Sequence, residues 1–329
     1  MADFDLSHVG GDLAERVDAA MARVESQLLA AVVSDYPFVA ETSRHLVDAG
    51  GKRFRPLLVL LAAEFGTRDA PQVVPAAVVV ELTHLATLYH DDVMDEADLR
   101  RGAPSANSRW DNTVAILTGD FLFSRASNIL ADLGPEAVRI QAGTFERLVV
   151  GQIKETVGPG DSDDPVAHYL SVVADKTASL IATSGHFGAL LSDAPPEVVE
   201  LMTTFGEHIG VAFQLADDVL DVTSDFGESG KTPGTDLREG VRTLPVLHAL
   251  ASGDPADEEL RELLRGDLSD DARHGRALKL LRSSEAMKLA NQDLERYADE
   301  ARQILTPLPD GPAKTALEAV CDLVVFRTG

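Results

Sequence analysis

Two acidic clusters in this chain share one spacing: Asp91, Asp92 and Asp95 in HDDVMDEADLRRG, and Asp217, Asp218 and Asp221 in FQLADDVLDVTSD. Both read D-D-x-x-D, and both interrupt long, alanine-rich apolar stretches whose pattern predicts helix. On a helix, residues i and i+4 lie about 6 Å apart on one face. Each cluster therefore projects two carboxylates, Asp91/Asp95 and Asp217/Asp221, in one direction. Like charges at that spacing repel and destabilise a helix, so two such pairs point to a cation between them. An all-oxygen set of donors favours Mg2+, which keeps several waters and bridges to phosphate groups. A single D-D-x-x-D is a weak sign, because acidic pairs on solvated helix faces are common. Two copies in apolar surroundings, each followed by basic residues, are a strong one.

Composition narrows the fold. Hydrophobic residues make up 45% of the 329, enough for a sizeable core, yet aromatics are only 5% and alanine, leucine and valine dominate. That balance favours packed helices over β-sandwiches. Acidic residues outnumber basic ones 54 to 29, for a net charge of −25. Such a chain is ill suited to nucleic acid or to anionic lipid, both of which call for basic surface. Much of the acid sits in solvated runs such as 254–262 and 267–271, where solubility is the plain reading. One cysteine, Cys321, excludes an internal disulfide and fits a reducing compartment. The N-terminal stretch MADFDLSHVGGDLAERVD is acidic and has no apolar centre, unlike a signal peptide. No apolar run is expected to reach transmembrane length, since 73–80 is followed by Glu81 and His84. The expected location is the cytoplasm.

Helical periodicity recurs along most of the chain, and punctuation falls where helices should stop and start. Gly50-Gly51 suits a C-terminal cap and Pro56 the first turn of the next helix. Pro75 is expected to open the helix carrying 78–95, while Gly134-Pro135 and Asp164-Pro165 mark further breaks. The segment Asn112–Leu133 is apolar on most faces, as a central helix would be. Further helices are expected at about 166–191 and 196–222, with shorter amphipathic ones after 245. The stretch 227–240, GESGKTPGTDLREG, is the most loop-like interior segment. No low-complexity linker divides the chain, so the expectation is one all-α domain, 1–329, a single bundle of ten or more helices with its motifs in about 50–245.

Basic residues are few, so their clustering carries information. Gly51-Lys52-Arg53-Phe54-Arg55-Pro56 sets three cations between one helix end and the N-terminus of the next, where free N–H groups and the dipole also favour an anion. Taken alone, a solvated turn with surface cations is the simpler reading. Arg100 and Arg101 follow the first acidic cluster closely enough to grip a diphosphate, or to pair with Asp95, Glu96 or Asp98. His84 stands two helical turns before Asp91 on the same face; a lone helical histidine is more often a satisfied core residue. Lys176-Thr177 interrupts the apolar SVVADKTASLIATSG, where a snorkelling lysine is the bland alternative. Gln214 precedes Asp217 by one turn and could be a buried amide only. Lys231, in the glycine-rich loop, is either a phosphate contact or a solvated cation.

Taken together, GKRFRP, ELTHLATLYHDDVMDEADLRRG, the DKT segment, FQLADD and GKTPGTDLREGVRTLP occur in the order found in trans-isoprenyl diphosphate synthases, the polyprenyl synthetases. The chain resembles that family from roughly Gly50 to Pro245, most closely its long-chain heptaprenyl and octaprenyl type. The resemblance implies an all-helical isoprenoid synthase fold around a deep central cavity, with the two aspartate clusters facing each other across its mouth. It implies that Lys52, Arg55, His84 and Arg101 bind isopentenyl diphosphate. It assigns Asp91, Asp95, Asp217 and Asp221 to Mg2+, about three ions per site, on an allylic diphosphate. Arg100, Lys176, Thr177 and Gln214 would contact that second substrate, and Lys231 its diphosphate. Asp92 and Asp218 join the catalytic set, and a homodimer is implied, its interface including the first aspartate helix and its neighbour. Many members carry a lysine directly after the glycine of the last motif; here Val241 stands there, followed by Arg242.

The chemistry implied is head-to-tail condensation. Ionising an allylic C–O bond gathers negative charge on the leaving diphosphate, which metal ions and Arg100, Lys176 and Lys231 would stabilise. No nucleophilic side chain is needed, in keeping with the absence of a Ser/His/Asp or Cys/His arrangement. Water would quench the cation, which makes 227–240 the natural lid. A terpene cyclase would lack the second D-D-x-x-D and the Lys52/Arg55/His84 set. A non-catalytic subunit of a two-component synthase should have lost its aspartates. A geranylgeranyl synthase is the nearest rival. Against it, Ala86 and Thr87 are small where short-chain members place a ring, so the growing chain is expected to run deeper, between this helix and 121–130, with Phe121 or Phe123 as a lower floor.

Overall fold

The computed structural model describes residues 10–224 and 233–326. Its helices, in chain order, are α1 (Gly11–Ala31), α2 (Pro37–Asp48), α3 (Phe54–Ala63), α4 (Val73–Met94), α5 (Ala106–Arg109), α6 (Asn112–Leu133), α7 (Pro135–Val157), α8 (Pro165–Val173), α9 (Ser179–Leu190), α10 (Pro196–Thr223), α11 (Thr235–Arg238), α12 (Leu244–Ala251), α13 (Glu258–Leu264), α14 (Asp271–Arg282), α15 (Glu285–Ile304) and α16 (Pro312–Phe326). The expected all-α fold with ten or more helices is what is found. A short antiparallel ribbon, β1 (Leu99–Arg100) and β2 (Ala103–Pro104), follows α4 and was not expected from the sequence.

Helix ends obey local chemistry. Pro37, Pro135 and Pro165 each open a helix, where no N–H is needed. The Asp111 and Asp164 carboxylates accept from Val114 N and Val166 N, capping α6 and α8. Gly50 and Gly51 follow α2 at positive φ, as the double glycine predicts. Helix α4 starts at Val73, two residues before the expected Pro75, which the first turn accommodates because its N–H would have no intrahelical partner. The expected helix 166–191 is two helices joined by a π-turn, Ala174–Ala178.

The chain divides into two compact units, each assembled from separate segments. The first holds the residues up to Glu146, Leu180–Gly206 and Pro307–Leu317. Helix α4 is its centre: Val78, Val79, Val80, Leu82, Leu85 and Ala86 have no exposed surface, and α1, α3 and α6 pack around them. Each such valine or leucine contributes about 1.5–3 kcal/mol by leaving water. By length and composition α4 is also apolar enough to cross a membrane, contrary to the expectation for this stretch. However, 72% of its most apolar window is buried within the protein, as in a core helix. The expected central role of Asn112–Leu133 is not found among the described residues. Helix α6 buries only the face carrying Ala115, Gly119, Leu122, Ala126 and Leu130, and leaves Ile116 and Leu117 exposed.

The second unit holds Arg147–Ser179, Glu207–Thr306 and the residues from Glu318 onward. Its best-defined pair is α12 with α15. Helix α15 buries Ala286, Met287, Ala290, Leu294, Ala298 and Ala301, an i, i+4 stripe that matches its sequence pattern.

Small residues set the spacing in the first unit. A Cβ on Gly188 would lie 2.2 Å from the Val59 carbonyl oxygen and 2.8 Å from Ala62 Cβ, so α9 crosses α3 backbone to backbone. Gly188→Ala must push two core helices apart and is expected to cost about 1–3 kcal/mol. Denaturant titration of wild type and variant measures it; an unchanged midpoint would contradict this packing.

Candidate functional site

The first cluster sits at the C-terminal end of α4. Asp91 is partly exposed, and Asp95 caps the helix, exposed, with its N–H donating to the Asp91 carbonyl at 2.8 Å. Asp92, between them, has no exposed surface; its Oδ1 accepts from Arg100 Nε at 2.5 Å. Burial, together with the Asp95 charge, raises its pKa against the opposing pull of Arg100. The cluster thus divides by direction: Asp91 and Asp95 lie toward solvent, while Asp92 is turned in and held.

The ribbon delivers both arginines. Arg101 and Gly102 take positive φ at the two central positions of its turn, the conformation that two-residue hairpins favour. Arg100 is thereby returned to Asp92. Arg101 reaches back to the end of α2, its Nη1 donating to the Leu46 carbonyl at 3.1 Å and to that of Gly50. A Cβ on Gly51 would meet this guanidinium at 2.8 Å, so the second glycine of the GGKRFRP turn is required by Arg101.

Of the three cations in that turn, one is structural. Arg53 is buried, donating to Glu81 Oε1 at 2.7 Å and Glu25 Oε1 at 2.6 Å. This corrects the reading of all three as an anion site. Lys52 is exposed and Arg55 half-buried. His84 is only partly exposed, and burial holds its pKa well below the usual value. The Arg55, Arg101 and Arg100 charges act the same way, so it is neutral near pH 7. Lys52, Arg55, His84 and Arg101 all belong to the first unit.

The second cluster ends α10 in the same way, in the other unit. Asp217 is partly exposed, and Asp218 is buried. The Asp218 carboxylate accepts from Tyr169 Oη, from Gln214 Nε2 at 3.0 Å and from Leu244 N at 3.4 Å. Burial pushes its pKa up to about 7 despite these donors. Gln214 continues the chain, its Oε1 accepting from Thr177 Oγ1 at 3.3 Å. Thr177, Gln214 and Asp218, each singled out in the sequence, are thus linked, and Tyr169 is the member that sequence reasoning missed. Asp221 is partly exposed and binds backbone: its Oδ1 and Oδ2 accept from Thr235 N at 3.1 Å and Asp236 N at 3.2 Å, so it anchors α11.

Lys176 sits in the π-turn, where its Nζ pairs with Glu155 at 2.5 Å. The turn is held by its neighbours. A Cβ on Gly151 would lie 2.5 Å from Lys176 N, so α7 lies directly against this backbone. Arg147 donates to Asp175 Oδ1 at 3.1 Å and to the Ala174 carbonyl at 3.2 Å, and Lys154 donates to Asp175 Oδ2 at 2.7 Å. The sequence predicted an unbroken helix here because no glycine or proline interrupts 166–184. Lys231 lies outside the described residues, as does the 227–232 part of the expected lid. Val241 and Arg242 are both exposed.

Among the described residues no group of three or more His, Cys, Asp or Glu is gathered as a ready-made metal cage. What each unit offers is a pair of outward carboxylates at i and i+4. That set fits a hard cation that keeps waters and shares its remaining positions with phosphate oxygens. It would not fit Zn2+, which takes a closed nitrogen and sulfur shell.

On the expected path, α4 and α6 pack together at Ala86. That residue is fully buried, and a Cβ on Gly119 would lie 3.1 Å from its carbonyl oxygen and 2.3 Å from His90 Nε2. Phe123 instead packs on His90 and Phe145, with ring centroids at 5.8 Å and 4.5 Å, and Phe121 lies under the Arg125 guanidinium.

Comparison with known proteins adds a separate line. The sequence model of the polyprenyl synthetase family matches residues 36–281. A nonaprenyl diphosphate synthase of Mycobacterium tuberculosis is 50% identical over 317 residues, 96% of this chain and 95% of that one. A geranylgeranyl pyrophosphate synthase of Corynebacterium glutamicum, solved with calcium and isoprenyl diphosphate, superposes with a TM-score of 0.87 at 46% identity. The match covers 97% of this chain and 98% of the other. A polyprenyl synthase of Caulobacter crescentus, also solved with calcium and isoprenyl diphosphate, gives a TM-score of 0.90 at 32% identity over 100% of both chains.

Two expectations follow from the geometry. Without a cation, Asp91 adds charge to the negative end of α4, so Asp91→Asn should raise the stability of the metal-free protein by about 0.3–1 kcal/mol. The same change should abolish most of the thermal shift given by Mg2+ with inorganic diphosphate; destabilisation of the metal-free protein would contradict it. For His84, a lowered folded pKa means that stability is present above the unfolded value, about 6.5, and is lost as pH falls. The wild-type advantage over His84→Gln in unfolding free energy should therefore shrink between pH 8 and pH 5, which denaturation at each pH would reveal.

Proposed function

The chain belongs to the polyprenyl synthetase family, and on that premise we propose how this prenyltransferase works. It condenses isopentenyl diphosphate head-to-tail with an allylic diphosphate, using Mg2+, to build a long-chain all-trans polyprenyl diphosphate. The observation that carries this reading is the repeated division of carboxylates at the ends of α4 and α10. In both, the middle aspartate is buried and hydrogen-bonded and its neighbours lie toward solvent.

Asp91 and Asp95, and in the other unit Asp217 and Asp221, would hold the metal, which when bound neutralises the diphosphate as it leaves. Asp92 and Asp218 fix the direction of those pairs through Arg100, Tyr169 and Gln214. Arg100 faces the first cluster already paired, so its charge is placed before substrate arrives. Lys176 would exchange Glu155 for the allylic diphosphate, and Thr177 and Gln214 hold the adjoining turn. Lys52 and Arg55 supply cations for isopentenyl diphosphate. Neutral His84 adds a hydrogen bond without adding charge, and Arg101 keeps the glycine turn in shape. Lys231 and the segment around it are proposed as a closing contact on sequence grounds. The crystal partners of the two solved relatives, calcium with isoprenyl diphosphate, support a divalent ion; Mg2+ and about three ions per site are the proposal here.

Long products are favoured by the nonaprenyl relative, although the geranylgeranyl relative keeps a shorter product as the second reading. A homodimer is supported by exposed apolar residues: Ile116 and Leu117 on α6, and Val138, Phe145, Val149, Val150 and Ile153 on α7. The lone cysteine and acidic surface support a cytoplasmic location.

Incubating the purified protein with labelled isopentenyl diphosphate and allylic primers, then sizing dephosphorylated products, should show growth with Mg2+ and none in excess chelator. Full activity in chelator would overturn the assignment. Arg55→Ala is expected to raise KM for isopentenyl diphosphate about tenfold or more, the loss of a charge-assisted bond, with a smaller effect on the allylic substrate. Light scattering should give a dimer at micromolar concentration; a monomer would refute that part alone.

A further inference from the structure

Helix α14 lies beyond the aspartate motifs in the chain, yet two of its residues reach back to the second cluster. It belongs to the same unit as α10 and α11. Its buried stripe is His274, Ala277 and Leu281, of which the histidine is the polar member. Arg238 Nη2, which can only donate, meets His274 Nδ1 at 3.2 Å. Nε2 therefore carries the ring hydrogen and donates to the Gly234 carbonyl at 2.8 Å. The partners of the ring lie at the two ends of α11, Gly234 just before it and Arg238 as its last residue. Asp271 Oδ1 also accepts from Arg238 Nη2, at 2.8 Å. Gly234 has a φ of 70°, and a Cβ on it would lie 2.8 Å from His274 Nε2, so the backbone rests directly on the ring.

Arg282, at the other end of α14, donates from Nε to the Val222 carbonyl at 2.6 Å and from Nη2 to that of Ser224 at 2.7 Å. Those carbonyls close α10 immediately after Asp221. One helix thus holds both the end of α10 and the start of α11. Asp221 stands between the two holds: its carbonyl accepts from Gly234 N at 2.7 Å, and its carboxylate accepts from Thr235 N and Asp236 N. A carboxylate oxygen has two lone pairs, so one backbone bond apiece fixes the plane of the group and leaves each oxygen a lone pair for a cation. A helix of four residues cannot keep those N–H groups in place alone, because so short a turn is not stable by its own hydrogen bonds. Burial by itself would be better served by a leucine at 274.

We propose, resting on the metal-dependent prenyl-transfer reading above, that α14 is a bracket for Asp221, with His274 and Arg282 as positioning residues for the metal of the second cluster. Neither is assigned a contact with metal or substrate. His274 holds Gly234, Gly234 fixes the Thr235 and Asp236 N–H groups, and these set the plane of the Asp221 carboxylate. Arg282 steadies the end of α10 from the other side. Without the bracket the carboxylate would turn about its own side-chain bonds, and a cation would have to order it on binding. Partners that orient a metal ligand in this way change metal affinity by about 10–100-fold.

The two bonds of the ring can be tested apart. His274→Gln puts an amide N–H as many bonds from Cβ as Nε2 and keeps the donor to Gly234. His274→Asn keeps an acceptor for Arg238 and loses that donor. Thermal shift is followed against Mg2+ concentration with inorganic diphosphate present, beside the Mg2+ dependence of activity. The Mg2+ needed for half the shift should rise about tenfold in His274→Asn and stay within about threefold of wild type in His274→Gln. KM for isopentenyl diphosphate should keep its wild-type value. In an Asp221→Asn background, His274→Asn should add nothing, because the histidine acts only through that carboxylate. Arg282→Ala, at an exposed position, should also raise the Mg2+ demand, and it carries the test if His274→Asn does not fold. Wild-type Mg2+ demand in His274→Asn or in Arg282→Ala would overturn the inference and leave the function standing. So would an equal rise in His274→Gln and His274→Asn, or a rise that persists without the Asp221 carboxylate. A wild-type protein that Mg2+ with diphosphate does not stabilise would instead remove the metal reading, and the inference with it.

Discussion

Carboxylates at the wrong end of a helix are the constraint on which the rest of this molecule turns. Both aspartate clusters finish long helices, α4 and α10, where the backbone dipole already presents negative charge. Placing further carboxylates there costs stability unless some are neutralised or screened. The protein does this locally by turning the middle aspartate of each cluster inward, Asp92 to Arg100 and Asp218 to Tyr169, Gln214 and Leu244 N. Once the middle residue is fixed, its i−1 and i+3 neighbours are set together to one flank of it, about 100° and 60° round the helix. The direction of the flanking pairs is therefore tied to the inward contacts of the middle residue.

That logic explains why the motifs could be read from sequence and much of their support could not. The i, i+4 relation of Asp91 to Asp95 and of Asp217 to Asp221 is set by helix geometry alone, so spacing was sufficient. Arg53 looked like a third phosphate cation because its partners, Glu25 and Glu81, are 28 residues away on either side. Nothing in the neighbouring residues announces that pair. Tyr169 was missed for the same reason: its hydroxyl serves a carboxylate 49 residues on. The ribbon that returns Arg100 to Asp92 was legible in principle, since Arg101-Gly102 is a plausible tight turn, but two-residue strands carry no periodicity. Apolar pattern overstated the burial of α6, because Ile116 and Leu117 are exposed and the pattern records hydrophobicity whatever finally covers it.

Glycines mark where function and packing compete. Gly51 is needed because Arg101 occupies the space a Cβ would take, and Gly151 because α7 lies against the backbone of Lys176. At the second position the gain is a π-turn, an insertion that re-aims a lysine without ending the helix. Arg147, Asp175 and Lys154 form a ladder of charges around that turn, each satisfied by the next. Such a ladder adds modestly to stability where it is exposed. Its larger effect is to limit the conformations of Asp175, and through it the backbone that carries Lys176 and Thr177.

Product length draws on different residues from bond formation. A nonaprenyl synthase and a geranylgeranyl synthase are similar to this chain at 50% and 46% identity, so overall likeness does not distinguish products of very different size. On the proposed reading the carboxylates and cations act on the diphosphate end, which is the same whatever the length of the tail. Only side chains met further along can sense how long the tail has become.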